Sequence, residues 1–382
     1  MKFMDREVIK IGSRVLCDEN GINDAMIIHI AAEVAELQKA GKKVILVSSG
    51  AARTGKSNVA LRDEFPVEVM TGIQKKDVRD QVRAAVGQIH LMTKYQSEFA
   101  RNGLLCAQVL VTRTDFEERE KYIKLKMVIE NMLRNGVIPI FNENDVLSHA
   151  GDELDFRDND HLACIISAML TVDRLVILTG TRGVYERPPH EAGAVLLSEI
   201  KNPLQTMEDI KIRKADISKG GMVSKLLAAD LMSSLGIPMY IMGGTHEEIM
   251  GEHPLTSLIL GKKKVGTFFP PTSKKPKKIK AWITTAQGKG TVVASTYLAE
   301  RLEKKEFTSI LLRGIEQVEG IFEEGDVVII VNEDGGTLGK GQVRYSSDDL
   351  RREVEASKAQ VGQREEGGEK IVVHYDYFVF NN

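Results

Sequence analysis

The chain has 382 residues, 42% hydrophobic and 28% charged, with a formal net charge of −2. That length and apolar content bury a large core in two domains and exclude a disordered chain, while the near-neutral balance excludes an overall attraction to nucleic acid or anionic membrane. Cys17, Cys106 and Cys164 lie in apolar or helix-like surroundings without C-x-x-C spacing, so they read as reduced thiols rather than zinc ligands or a disulfide framework.

Met1 leads through charged residues straight into the strand-like Val8-Ile9-Lys10-Ile11 without an h-region, and no apolar run reaches about 18 residues, so the expected location is cytoplasmic. Strand-like runs follow at Glu7-Ile11, Val44-Ser48, Leu105-Val111, Val137-Phe141, Leu175-Leu178 and Met239-Met242. Helical periodicity fills the intervals at Ala25-Ala40, Val82-Ala100, Tyr122-Asn135, His161-Thr171 and Met222-Leu235. Such alternation predicts an α/β fold, a three-layer α/β/α sandwich around a mostly parallel sheet. Gly41, Gly136 and Gly236 stand where left-handed helix C-caps are expected.

After Pro270-Pro271 a lysine-rich stretch reads as a basic linker, and the strand-like segments Thr308-Leu312, Val327-Val331, Gly339-Tyr345 and Lys370-His374 suggest a small C-terminal β-barrel. The expected division is 1–269 for the α/β domain, 270–280 for the linker and 281–382 for the barrel. A chain cut near residue 273 is expected to fold on its own.

Polar clusters gather where strands end. Asn142-Glu143-Asn144-Asp145 follows the strand Val137-Phe141, and Arg157-Asp158-Asn159-Asp160 opens an apolar helix. In such folds ligands bind outside the carboxyl ends of parallel strands, where helix N-termini offer N–H groups. Gly50-Ala51-Ala52-Arg53-Thr54-Gly55-Lys56-Ser57 also matches the phosphate-binding P-loop pattern. A P-loop must open a long helix, however, and only a short stretch precedes Pro66. No later strand ends in an aspartate placed to hold magnesium.

A different template takes up the remaining clusters. V-I-K-I-G-S (Val8 to Ser13), S-S-G-A (Ser48 to Ala51), A-A-V-G-Q (Ala84 to Gln88), N-E-N-D (Asn142 to Asp145), D-N-D (Asp158 to Asp160) and G-G-M-x-x-K (Gly220 to Lys225) occur in the order of the amino acid kinase family, which the chain resembles. Arg344-Tyr345-Ser346-Ser347-Asp348 and Leu350-Arg351-Arg352 resemble a PUA domain. The resemblance implies ATP-dependent phosphorylation of the side-chain carboxylate of L-glutamate, with Lys10 and Lys225 as catalytic cations and Asp160 orienting them. It places the acceptor at Ser49, Asp145 and Asn159. The nucleotide falls to Lys10, Gly12, Ser13, Thr179, Gly180, Lys219, Gly220, Gly221, Met222, Val223, Ser224 and Lys225, with the glycines at 12, 50, 220 and 221 admitting backbone N–H groups to the phosphates. Mg2+ arrives with ATP, near Asp158, and no residue is assigned as its direct ligand. Implied partners are a second copy of the chain, as dimer or tetramer, and the reductase that consumes the acyl phosphate.

The chain departs from the family pattern at Gly180, where an aspartate is usual, at Arg53 in the glycine loop, and at Lys219. Two alternatives stand beside this reading. One is a related kinase with another acceptor, N-acetylglutamate or UMP. The other is an RNA-binding protein, which the basic linker favours and Glu316, Glu319, Glu323 and Glu324 oppose.

Overall fold

The computed structural model describes residues 5–18, 21–58, 75–147, 158–210, 221–244, 253–272, 274, 278–306, 308–359 and 370–381. The chain forms two compact units, Met1–Asp115 with Lys124–Lys275, and Phe116–Ile123 with Pro276–Asn382.

From Arg6 to Phe269 the chain order is β1 (Arg6–Ile11), α1 (Ser13–Leu16), β2 (Cys17–Asp18), β3 (Gly21–Ile22), α2 (Asp24–Lys39), β4 (Lys43–Ser48), α3 (Ala51–Asn58), α4 (Lys75–Arg101), β5 (Leu105–Val111), α5 (Thr114–Glu117), α6 (Arg119–Arg134), β6 (Val137–Glu143), α7 (Asn159–Leu170), β7 (Arg174–Thr179), α8 (Pro203–Asp209), α9 (Met222–Ser234), β8 (Met239–Gly243), α10 (Pro254–Ile259) and β9 (Thr267–Phe269). Seven strands make one sheet in the order β5-β6-β4-β1-β7-β8-β9, parallel except where β9 runs against β8. The central strands read as continuous apolar runs because helices cover both faces. Ile9 and Ile11 of β1 pack with Ile30 and Val34 of α2 and Tyr95 and Phe99 of α4. Side chains alternate along a strand, so Val8 and Lys10 point to the opposite face, where α7 lies.

The expected strands and helices are present, most of them with ends displaced by a few residues. Helix α4 begins at Lys75 rather than Val82, because its first turns carry charges instead of an apolar stripe. Gly41, Gly136 and Gly236 all have positive φ, and Lys42 and Ile237 close Schellman-type bonds to Leu37 and Met232. Packing also speaks against the P-loop reading. Residues from Ala51 onward are helical, and a Cβ on Gly55 would stand 1.8 Å from the Arg83 carbonyl oxygen while one on Gly87 would stand 1.9 Å from that of Ala51. Both glycines therefore exist to let α3 and α4 touch, not to cradle phosphate.

In the second unit, α11 (Lys278–Thr285), β10 (Gly290–Ala294), α12 (Thr296–Glu303), β11 (Ile310–Leu311), β12 (Ile315–Gly320), β13 (Val327–Val331), β14 (Thr337–Gln342), α13 (Ser347–Ala359), β15 (Ile371–Val373) and β16 (Phe378–Phe380) follow in order. The larger sheet runs β12-β10-β13-β14-β16, beside a β11-β15 pair, over a core that includes Val292, Phe322, Ile330, Leu350 and Phe378. Three helices were not legible as such. Helix α11 takes in 278–280, the last three residues of the expected linker, and continues into Ala281, Trp282 and Ile283, which are buried. Residues 273 and 275–277 of that stretch lie outside the described residues.

Trp282 also bears on the expected autonomy of the α/β part. Its Nε1–H donates to the Phe116 carbonyl at 3.0 Å, the Arg119 guanidinium stands 5.0 Å from its ring centroid, and Tyr122 lies 6.2 Å away. Phe116 and Tyr122 are buried within this unit. A chain ending at residue 273 is therefore expected to aggregate or lose several degrees of Tm, measured by size exclusion and thermal melting. A monodisperse product with unchanged Tm would refute the structural role assigned to Trp282.

Candidate active site

Lys10 is the penultimate residue of β1, between β4 and β7 in register with Val47 and Ile177. A lysine 5% exposed inside a parallel sheet needs a counter-charge, and its ammonium lies 2.7 Å from Asp160 Oδ1. Asp160 sits in the first turn of α7 with no exposed surface. Its Oδ2 accepts from Lys225 Nζ at 3.0 Å and from Ser224 Oγ at 3.2 Å. Lys225 stands in the first turn of α9 and is 4% exposed. One carboxylate thus holds two ammonium groups, one on each oxygen. Burial by itself would raise the Asp160 carboxyl, but the charges and hydrogen bonds of Lys10 and Lys225 outweigh it and hold the group below the ordinary aspartate range. The trio keeps one net positive charge at the carboxyl edge of the sheet.

The two helix starts differ. Asp158 caps α7, its Oδ1 accepting from the N–H groups of Asp160 at 2.9 Å and His161 at 3.0 Å. This corrects the expectation of open N–H groups there. Helix α9 starts from Gly221, which has no side chain to cap it, so the positive end of its dipole faces the site without a cap from that residue. Met222 and Val223 form its first turn, and Lys219 and Gly220 lie outside the described residues.

Gly12, Ser13, Thr179 and Gly180 meet beside the trio. The chain leaves β1 toward β4 on one side and leaves β7 toward β8 on the other, and such a divergence opens a crevice at the carboxyl edge. The Gly12 N–H donates to the Leu178 carbonyl at 3.2 Å, which corrects the expectation that it serves phosphate. A Cβ at Gly12 would lie 3.2 Å from that oxygen, a tight contact, and 3.9 Å from Lys10 Nζ, an ordinary one. Gly180 has room for a side chain, since a Cβ would meet only the Arg14 Cβ at 3.8 Å. Arg53 is exposed on α3.

On the other side of Asp160, Asn159 Nδ2 lies within hydrogen-bonding distance of Ser49 Oγ at 2.9 Å, the Ser48 carbonyl at 3.1 Å and Asn142 Oδ1 at 3.0 Å. Asn142 Nδ2 donates to Gln88 Oε1 at 2.8 Å. Asn142 and Gln88 are 3% and 8% exposed, so this network fixes Asn159 and Ser49 from beneath. Neither was named as a site residue, although both stand in quoted motifs, N-E-N-D and A-A-V-G-Q. Asp145 lies just past the end of β6, half-buried.

Among the described residues, Asp160 is committed to the two lysines and Asp158 Oδ1 to its helix, so neither stands free as a carboxylate ligand for Mg2+, and the pair fits an ion brought in on phosphates.

Residues 5–243 match the amino acid kinase family and residues 299–360 the PUA domain. The chain is 36% identical over 356 residues to a glutamate 5-kinase of Geobacter metallireducens, covering 92% of this chain and 91% of that one. A glutamate 5-kinase of Chlorobaculum tepidum is 33% identical over 379 residues, covering 97% and 96%. Among solved structures, the UMP kinase of Bacillus anthracis is similar with a TM-score of 0.46 and 17% identity, over 70% of this chain and 97% of that one. With the family match spanning most of the α/β unit and the two glutamate 5-kinase relatives spanning nearly the whole chain, the protein belongs to the amino acid kinase family.

Proposed function

We propose that the chain transfers the γ-phosphoryl group of ATP to the side-chain carboxylate of L-glutamate, the reaction that opens proline biosynthesis. Its relatives carry that activity in their names, and the single observation that supports it here is the buried Lys10–Asp160–Lys225 trio beside the Asn159–Ser49 network. Transfer between two anions needs little covalent help from protein, only positioning and fixed positive charge.

Lys10 and Lys225 meet the charge that develops on the transferring oxygens. Asp160 keeps both ammonium groups in place beforehand, so none has to reorganise. Ser49, Asp145 and Asn159 hold the acceptor, with Asp145 pairing with the substrate ammonium. The acceptor oxygen bonds to the γ-phosphorus as the bond to the β–γ bridging oxygen breaks, and ADP leaves. The attacking carboxylate carries no proton, so no general base is required. Mg2+ would be carried by the nucleotide phosphates and would supply charge neutralisation there, with Asp158 nearby and no residue assigned as its direct ligand.

Self-association is part of the proposal, supported by exposed Leu105 and Leu110 on β5, an edge strand among the described residues, and exposed Met127 on α6. Glutamyl phosphate reductase is the natural recipient of a labile acyl phosphate. RNA binding is not favoured, because the cleft around Arg344 and Arg352 also carries Glu323, Glu324, Asp349 and Glu353.

Incubation with Mg-ATP and L-glutamate in hydroxylamine is expected to yield glutamyl hydroxamate and ADP. Asp145→Ala and Asn159→Ala should chiefly raise KM for glutamate. Absence of glutamate-dependent hydroxamate, with turnover on N-acetylglutamate or UMP, would move the acceptor and leave the family in place.

A further inference from the structure

We propose that His29, Glu33 and His253 form a binding site for one divalent transition-metal ion of the zinc type, joining α2 to the segment that opens α10. None of the three belongs to the catalytic edge described above. His29 and Glu33 are four residues apart on α2 and so share a face. His29 Nε2 stands 2.9 Å from Glu33 Oε1, and the His253 ring stacks on that of His29 with centroids 5.6 Å apart and planes 13° off parallel. One donor atom from each of the three residues can be chosen so that all lie within 4.8 Å of one another.

Three observations make this more than a surface cluster. The first is preorganisation of the carboxylate. Glu33 is 2% exposed, and its oxygens accept from the backbone N–H groups of Thr256 at 2.6 Å and Leu255 at 3.4 Å. Outer partners of this kind orient a metal ligand in advance. The second is geometry: tetrahedral zinc with bonds of about 2.0–2.1 Å sets its donors roughly 3.3 Å apart. The His29–Glu33 pair is already that close, and His253, with a side chain 47% exposed, has freedom to swing its ring inward. The third is donor type. Two imidazoles and one carboxylate suit Zn2+, Co2+ or Ni2+ and do not suit Mg2+ or Ca2+, which take oxygen shells. The fourth position falls to water or to Glu36, whose Oε1 is 3.8 Å from His253 Nε2.

Because His253 is more than two hundred residues from His29, the complete donor set exists only in the folded chain. Binding there stabilises the native state in proportion to the logarithm of metal concentration over Kd. The ion would act as a staple between two helices rather than as a participant in phosphoryl transfer.

The test uses the full chain stripped with EDTA and titrated separately with Co2+, Zn2+ and Mg2+, following cobalt d–d absorption, zinc calorimetry and Tm. One equivalent of Co2+ or Zn2+ at micromolar Kd or tighter is expected, with a rise in Tm that Mg2+ does not reproduce at this site. His29→Gln and His253→Ala should each weaken that equivalent by at least about tenfold while leaving Mg-ATP turnover unchanged. Cys106→Ser should leave it intact. Absence of a Co2+ or Zn2+ equivalent, or one that persists in both histidine variants or disappears with Cys106, would overturn the assignment.

Discussion

Replacing Asp160 with asparagine is expected to lower kcat by about 10²-fold or more and to destabilise the fold by about 3–5 kcal/mol. The two effects have one origin. Asp160 has no exposed surface, and it is paired through one oxygen with Lys10 and through the other with Lys225, themselves 5% and 4% exposed. An amide of the same shape removes the negative charge and leaves two buried ammonium groups facing each other. They then repel, move or lose protons, and each of these outcomes spoils the prearranged field that the transferring phosphoryl needs. Lys10→Ala and Lys225→Ala should each lower kcat by about 10²-fold or more, with losses that are not additive because the three groups act as a unit. Lys56→Ala is the contrasting variant. Its side chain is exposed at the end of α3, so turnover should stay near that of the parent. Normal kcat in both lysine variants of the trio, combined with loss in Lys56→Ala, would restore the P-loop reading.

The second large effect concerns Glu7, at the opposite end of β1 from Lys10. This carboxylate is 1% exposed, its Oε2 accepts no hydrogen bond among the described residues, and Arg174 Nε is 3.7 Å away. Burial pushes its pKa up to about 7 from an ordinary 4.5; Arg174 and Lys42 offset only part of that, and Asp173 and Asp5 add to it. Between those two values the folded chain holds a proton that the unfolded chain has released. Stability therefore falls as pH rises through the window, with the loss absent below about 4.5 and complete above about 7. At 1.36 kcal/mol per unit the loss amounts to about 3 kcal/mol. Glu7→Gln should remove that dependence, raising Tm at pH 8 while changing it little at pH 4.5. Arg174 is not orphaned by the change, since its Nη1 also donates to the Leu258 carbonyl at 3.2 Å and its guanidinium lies 5.6 Å from the Tyr240 ring centroid. Denaturation curves for Glu7→Gln and the parent that stay parallel from pH 5 to 8 would refute the raised pKa.

Much of this arrangement was legible without coordinates, and particular residues show why. A lysine inside Val8-Ile9-Lys10-Ile11 has no solvated explanation in a buried strand, so Lys10 declared itself. Lys225 did so through the glycine turn and helix start before it. The helix breaks at Gly41, Gly136 and Gly236 were readable because positive φ is a local requirement. The opposite holds for Gly55 and Gly87: within the sequence Gly55 completes a phosphate-binding pattern, and only its contact with α4 shows it to be a packing residue. Gln88 and Asn142 were hidden for a similar reason, since their task is to hold other side chains and no spacing announces such a partner.

Local chemistry, written in the order of residues, therefore determined the strand and helix alternation, the buried cations and the polar strand ends. Tertiary structure decided what each of these touches. That Asp160 divides its two oxygens between lysines 150 residues before and 65 residues after it depends on β1, α7 and α9 converging at one edge of the sheet. The same holds for Trp282 beneath Phe116, and for His253 against His29. Periodicity and caps act over a few residues, whereas these contacts exist only after the chain has packed its apolar faces and so brought distant segments together.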